Sequence, residues 1–173
     1  IFFKLSTPAG GDARSKQAST RLGMVCYSLH DGKFLRADAR WGHPAWHPDS
    51  RNIIEAGNLL IDSKTGKTER IPGLPGFGAG HPSVSPDGRL MVTDSIMDRV
   101  GGSAKEWGVI VADIRGTNYV VVHHFNNSRG ARSWRPSHPH PVFSPDGRRI
   151  YFNVSSGDWT QLHCAEVKES VKP

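Results

Sequence analysis

A segment with histidine, proline and a tight turn occurs three times along the chain, and this repetition constrains the fold more than any other feature. The three copies are GHPAWHPDS (42–50), GHPSVSPDG (80–88) and HPHPVFSPDG (138–147). Apolar, strand-like runs follow each copy, and Asp-Gly between such runs is a strong hairpin signal. The repeat therefore predicts units of consecutive antiparallel strands joined by short turns.

Four-stranded units repeated around an axis are the blades of a β-propeller. We predict an all-β propeller of four-stranded antiparallel blades, with about three and a half blades in a single partial domain over residues 1–173. We interpret it as a fragment of a seven-bladed propeller. No helix longer than one or two turns is expected, and the Gly- and Ser-rich segment 8–20 is predicted to be a mobile loop. The predicted parts are a blade end (1–40) and blades at 41–73, 80–126 and 137–170.

Composition limits the kinds of partner. The net charge is +6 and the isoelectric point is near 9.6, which favours acidic partners. The basic residues are scattered and no nucleic-acid motif accompanies them, so nucleic acid is not the expected partner. No apolar run is long enough for a membrane helix, and no membrane partner is predicted. Cys26 and Cys164 lie in apolar runs and are predicted to be buried free thiols.

Histidine occupies one equivalent position in all three repeats, at His43, His81 and His140, and His138 lies two residues before His140. Side chains alternate along a strand, so His138 and His140 are expected on the same side. Equivalent positions of successive blades surround one axis, and we expect the four imidazoles to converge near one mouth of the channel. Neutral imidazole is a common ligand of transition metals, so the cluster predicts a metal or catalytic site.

The other histidines are interpreted as structural or solvent-exposed. His47 replaces the serine of the other repeats and is expected to be a turn residue. His30 and His163 lie on predicted third strands, and His123 and His124 lie on a predicted outer strand.

The repeats resemble those of PD40/TolB-type propellers and, more narrowly, those of oligogalacturonate lyase, the pectin-degrading family 22 of polysaccharide lyases. The resemblance covers most of residues 21–167. Its segments are GHPAWHPDS (42–50), GHPSVSPDGRLMVTD (80–94) and HPHPVFSPDGRRIYF (138–152). It implies a cytoplasmic, metal-dependent lyase that cleaves short oligogalacturonates by β-elimination, with an acidic oligosaccharide as its partner. Many related propellers are exported, so a periplasmic or secreted location stays open as the alternative.

The same resemblance implies roles for individual residues. It implies a divalent metal, Mn²⁺, held by His81, His138 and His140, and a catalytic base at His43. It also implies a supporting arginine in the preceding blade, for which Arg21 is the candidate.

One position departs from the family pattern. The family's glutamine ligand has no counterpart, because the residues before the histidine pair are WRPS (134–137). An arginine cannot ligate a metal, but its guanidinium can pair with a uronate carboxylate through two hydrogen bonds. We therefore predict Arg135 as a substrate-binding residue.

Other interpretations stay open. The generic repeat and the absent glutamine also fit a non-catalytic TolB-like propeller that acts as a protein-interaction or ligand-sensing module. A propeller joined to a hydrolase, as in prolyl peptidases, is a third interpretation, although no GxSxG nucleophile motif occurs in the chain. Open propeller edges would also permit self-association.

Overall fold

A computed structural model describes residues 1–7, 21–40, 42–76, 80–116, 118–126 and 138–168. The predicted mobile loop at 8–20 and the predicted substrate residue Arg135 lie outside these ranges. The described residues form antiparallel sheets with a single short 3₁₀ turn, which confirms the all-β prediction. Within these ranges no helix has the length and apolar character needed to cross a membrane.

The chain divides into two compact units, and the first comprises residues 1–42 with 62–67. It contains a three-stranded antiparallel sheet in the order β1-β2-β3. The central strand carries the buried side chains Met24, Val25 and Cys26. Its strands are β1 (Phe2–Ser6), β2 (Arg21–Ser28) and β3 (Lys33–Asp38).

The second unit comprises residues 43–61 and 68–173, and three antiparallel meanders belong to it. Sheet I contains β4 (Ala45–Trp46), β5 (Asn52–Glu55), β6 (Leu59–Asp62) and β7 (Thr68–Arg70). Sheet II contains β8 (Ser83–Val84), β9 (Leu90–Ile96), a 3₁₀ turn (Met97–Val100), β10 (Glu106–Asp113) and β11 (Tyr119–Asn126). Sheet III contains β12 (Val142–Phe143), β13 (Arg149–Val154) and β14 (Gln161–Glu166).

Apolar side chains pack successive sheets of this unit against each other. Burial of one such side chain stabilises the fold by about 1.5–3 kcal/mol, so these contacts hold the heads of the first strands at fixed positions. The cluster between sheets I and II contains Ile54, Ile71, Met91, Ile110 and Ala112. The cluster between sheets II and III contains Val92, Val109, Phe125, Phe143, Ile150, Phe152 and Val154.

The repeated turn joins the first and second strands of each sheet. In sheet II the hydroxyl of Ser85 donates to Asp87 at 2.7 Å and accepts the Leu90 N–H at 2.9 Å. The hydrogen bond from Ser85 lowers the pKa of Asp87 to about 2, helped by the N–H groups and charge of Arg89. Gly88 follows with φ of 74°, a left-handed conformation that glycine adopts without steric cost.

The structure corrects the predicted position of the repeated histidines. The first strands are only two residues long, and His43, His81 and His140 each lie two residues before their strand rather than at its start. The expected alternation of His138 and His140 along a strand is therefore wrong. His140 has a left-handed backbone with φ of 45°, which is uncommon for a residue other than glycine.

The cysteine prediction is correct for only one of the two residues. Both thiols are free; Cys26 is buried, whereas Cys164 is exposed. Cys164 lies on β14, where His163 and Ala165 are partly buried and the residues alternating with them face outward. An apolar run in the sequence did not reveal which face of this strand packs on sheet II.

Candidate metal centre

The packing of sheets I, II and III brings four histidine rings side by side. The ring centroids of His43 and His81 are 4.4 Å apart, and those of His81 and His140 are 3.7 Å apart. His138 lies 5.3 Å from His81 and 5.9 Å from His140. The expected convergence of the four imidazoles is thus present in the structure.

Three of these rings have the geometry of a ligand set. One nitrogen each from His81, His138 and His140 lies within 4.8 Å of the other two. Three atoms with these separations all lie within about 2.8 Å of one point, and a metal–imidazole bond is about 2.1 Å long. The three rings are therefore candidate ligands of a single ion.

A buried carboxylate fixes the His81 ring. The Asp94 side chain is 0% exposed, and the Nδ1 atom of His81 lies 3.0 and 2.9 Å from its two oxygens. The backbone N–H of His81 donates to the same group at 2.8 Å. A carboxylate that receives backbone N–H groups acts as an acceptor, so this geometry suits the tautomer with the proton on Nδ1 and the lone pair on Nε2.

The same carboxylate also reaches the next sheet. The backbone N–H of His140, in its left-handed conformation, donates to Asp94 at 3.0 Å. Between the two histidines of this segment Pro139 is fully buried, and its carbonyl accepts the N–H of Asn153 at 2.8 Å. These bonds explain why His138 and His140 lie near each other without belonging to a regular strand.

An aromatic ring supports the third candidate ligand. Trp107, near the start of β10, stacks on His138 with a centroid separation of 4.3 Å and an interplanar angle of 25°. Stacking restricts rotation of the imidazole plane, so Trp107 limits the directions in which the His138 nitrogens can point.

His43 is exposed, in contrast to the half-buried His81. Its backbone N–H donates to Glu55 at 2.8 Å, and the same oxygen accepts the N–H of Ala56 at 3.0 Å. Glu55 is 2% exposed, and its other oxygen has no hydrogen-bond partner among the described residues. A buried carboxylate thus holds the backbone of His43 while the imidazole faces solvent beside His81.

Two further residues carry predicted roles in the site. Arg21 is exposed and begins β2 in the first unit. Arg135 lies outside the described residues. Their predicted roles therefore stay predictions.

His47 is a turn residue, as expected from its place in the repeat. Its Nδ1 accepts the N–H of Asp49 at 3.2 Å, replacing the serine hydroxyl of the other turns. Its Nε2 lies 3.0 Å from the carbonyl oxygen of Gly88, so the ring joins the turns of sheets I and II.

The outer histidines have a different environment. The His123 ring is 5.9 Å from that of His163 and 5.4 Å from that of Phe152. Burial lowers the pKa of His123, and the neighbouring His163 and His124 lower it further. His124 lies 3.6 Å from Glu106, and His30 is exposed.

Comparison with solved structures supports the architecture. The chain matches TolB from Acinetobacter baumannii over 85% of its length, with 21% identity and a TM-score of 0.60. It matches an oligogalacturonate lyase from Vibrio parahaemolyticus over 88% of its length, with 18% identity and a TM-score of 0.54. A prolyl endopeptidase matches 85% of the chain at 15% identity, with a TM-score of 0.55. The fold is that of a β-propeller.

The propeller chain spans 35%, 43% and 25% of the lengths of the TolB, lyase and endopeptidase chains. No protein-family model matches it, and no curated protein matches it. Similarity at these identities describes the fold, and the site chemistry has to be argued from the residues themselves.

Sequence reasoning missed three supporting residues, namely Asp94, Trp107 and Glu55. An available signal for the two acids was their position in strands that bury apolar side chains, where an unpaired charge would be costly. Trp107 gave no local signal, because its contact with His138 joins residues of neighbouring sheets that are distant in sequence.

Proposed function

We propose that this propeller is a metal-dependent lyase that cleaves short oligogalacturonates by β-elimination. The observation that carries the proposal is the convergence of ligand nitrogens from His81, His138 and His140, with Asp94 behind His81. Imidazoles oriented by a carboxylate are the usual construction of protein metal sites.

The donor set fits a divalent ion. Three neutral imidazoles suit first-row transition metals and leave positions for oxygen ligands, which Mn²⁺ prefers. Mn²⁺ is the ion that the family resemblance implies. When bound, the cation would stabilise the negative charge that develops on a uronate carboxylate as the neighbouring proton is removed.

His43 is the proposed base. Its imidazole is exposed, is held through its backbone by Glu55, and lies 4.4 Å from His81 between ring centroids. Neutral imidazole is well suited to accept a proton near neutral pH. In the proposed reaction His43 takes the C5 proton of the uronate. The C–H electrons form the C4–C5 double bond, the C4–O bond breaks, and the leaving oxygen is protonated from solvent.

Substrate charge is the second element of the proposal. The net charge of +6 favours a polyanionic oligosaccharide. Arg135 is proposed to pair with a uronate carboxylate, and Arg21 is proposed to stabilise the enolate-like intermediate or the departing oxygen.

The test is a lyase assay with digalacturonate on protein stripped of metal and then reloaded with Mn²⁺. The unsaturated product absorbs in the ultraviolet, so its formation is followed directly. We expect product from the reloaded protein, none from His43→Ala or His81→Ala, and normal product from His163→Gln as the matched control. Absence of product from wild-type protein that demonstrably binds Mn²⁺ would refute the lyase assignment.

A second candidate is a non-catalytic TolB-like propeller that binds a protein or senses a ligand. The similarity to TolB and the absence of a glutamine before the histidine pair favour it. It predicts that partner binding by His81→Ala equals that of wild type. The lyase proposal predicts that the same substitution abolishes turnover.

A further inference from the structure

We infer that Asp94 is a positioning residue that prepares two ligands from two sheets for one metal. The inference rests on the proposed function, because it assigns a role relative to the same centre. Asp94 itself contacts the histidines and not the ligand position, so it acts through them.

Asp94 accepts hydrogen bonds from both His81 and His140. It is fully buried on β9, and its two oxygens receive the Nδ1–H and the backbone N–H of His81 and the backbone N–H of His140. An ionised carboxylate in this position accepts all three donors. It thereby holds the His81 proton on Nδ1 and leaves Nε2 as the metal-binding nitrogen.

The backbone of His140 has an uncommon conformation that Asp94 helps to hold. Its φ of 45° is a conformation that a residue with a Cβ adopts only when its surroundings impose it. The bond from its N–H to Asp94 is one such constraint, and the bond from Asn153 to the Pro139 carbonyl is another. Asp94 thus couples the ring orientation of His81 to the backbone conformation of His140.

Sheet I offers a matched comparison. Glu55 is also a buried carboxylate that accepts a histidine N–H, but within the described part of the chain only one of its oxygens has partners, the N–H groups of His43 and Ala56. Glu55→Gln can keep both bonds by placing its carbonyl oxygen there. Asp94→Asn cannot keep all of its bonds, because in either orientation its amide NH₂ replaces an oxygen that accepts a backbone N–H, that of His81 or that of His140, and that also faces Nδ1 of His81.

The difference predicts a change of tautomer. In Asp94→Asn the amide NH₂ can donate to Nδ1 of His81 only if the imidazole proton moves to Nε2. That tautomer directs an N–H group at the metal position and cannot ligate. We therefore expect Asp94→Asn to weaken Mn²⁺ binding by about 10- to 100-fold, the usual effect of losing a carboxylate partner of a ligating histidine. Glu55→Gln should change the affinity by less than about twofold, since the Glu55 bonds can persist.

Two measurements on the full chain test the inference. Calorimetric titration with Mn²⁺ gives the affinity of wild type, Asp94→Asn and Glu55→Gln, with circular dichroism to verify folding. Long-range ¹H–¹⁵N NMR of the metal-free protein, at a pH where imidazole is neutral, gives the His81 tautomer. The His81 signals are assigned from the spectrum of His81→Gln.

The expected result is an Nδ1–H tautomer of His81 in wild type and an affinity loss confined to Asp94→Asn. An Nε2–H tautomer in wild type would overturn the inference, and so would a folded Asp94→Asn that binds Mn²⁺ like wild type. If wild type binds no metal, the proposed function fails, and the wild-type tautomer alone decides whether Asp94 orients the ring. If Asp94→Asn does not fold, the wild-type tautomer decides in the same way.

Discussion

The propeller contains two groups of stacked histidines that differ in what their nitrogens face. The strand-head group comprises His43, His81, His138 and His140, and the outer pair comprises His123 and His163. Both groups bring rings within 6 Å of each other. One nitrogen each of His81, His138 and His140 lies within 4.8 Å of the other two, whereas His123 stacks on aromatic and imidazole faces. Ring proximity is therefore a poor guide to a metal site without nitrogen direction.

The partners behind the rings differ as well. The carboxylate of Asp94 accepts the backbone N–H of His81 and lies 2.9 Å from its Nδ1. His123 faces Phe125, Phe152 and His163, and its lowered pKa keeps it neutral in an apolar setting. In the proposed function the first arrangement prepares a metal site, and the second fills space between strands.

Removal of a strand-head ligand should have the largest effect on Mn²⁺ affinity. We expect His140→Ala to weaken Mn²⁺ binding by at least about 100-fold, because loss of a ligand exceeds the 10- to 100-fold cost of losing a supporting partner. His163→Ala should bind within about twofold of wild type. Isothermal titration measures both, and equal losses in the two variants would contradict the distinction.

Metal should stabilise the protein only through the strand-head group. At a Mn²⁺ concentration one hundred times the dissociation constant, the free energy of unfolding should rise by about 2.7 kcal/mol. The increase should vanish in His81→Ala and persist in His123→Gln. Chemical denaturation with and without Mn²⁺ measures the free energy of unfolding. A similar increase in His81→Ala would show that the ion binds elsewhere.

Lowering the pH should reduce the stabilisation that the outer pair contributes. The folded-state pKa of His123 is lowered from about 6.5, so below that pH the unfolded chain binds a proton that the folded chain does not. The contribution of neutral His123 is therefore complete above pH 6.5 and is lost as the pH falls towards the folded-state pKa. We expect a smaller decrease in the free energy of unfolding between pH 7.5 and 5.5 for metal-free His123→Phe than for wild type. An unchanged decrease would contradict the assigned environment of His123.

The smallest expected effect is a change in tryptophan fluorescence. Trp107 stacks on His138, so a paramagnetic ion at the strand-head group should quench its fluorescence. The chain has five tryptophans, and only a fraction of the total emission should change. Titration of Mn²⁺ into Trp107→Phe should give a smaller quench than titration into wild type. Equal quenching would mean that the ion binds far from His138.

The repeat was enough to predict much of this picture. Equivalent positions of His43, His81 and His140 follow from its spacing, and sheet packing turns that equivalence into proximity. The left-handed conformation of His140 could not be predicted, because it depends on the hydrogen bond from its N–H to Asp94 and on the bond from the Asn153 N–H to the Pro139 carbonyl.

Other features were hidden for a different reason. The exposure of Cys164 depends on which face of β14 packs against sheet II, and the stacking of Trp107 on His138 joins neighbouring sheets. Such contacts are set by tertiary packing, and neither residue type nor periodicity determines them.

The most direct test of the account is pulsed electron paramagnetic resonance of Mn²⁺ bound to the wild-type chain. Directly bound imidazole nitrogens modulate the electron spin echo. We predict nitrogen modulation that decreases when His81, His138 or His140 is replaced by glutamine and is unchanged in His163→Gln. A bound ion with only water-like proton modulation, or one whose nitrogen modulation survives replacement of all three ligands, would contradict the metal centre.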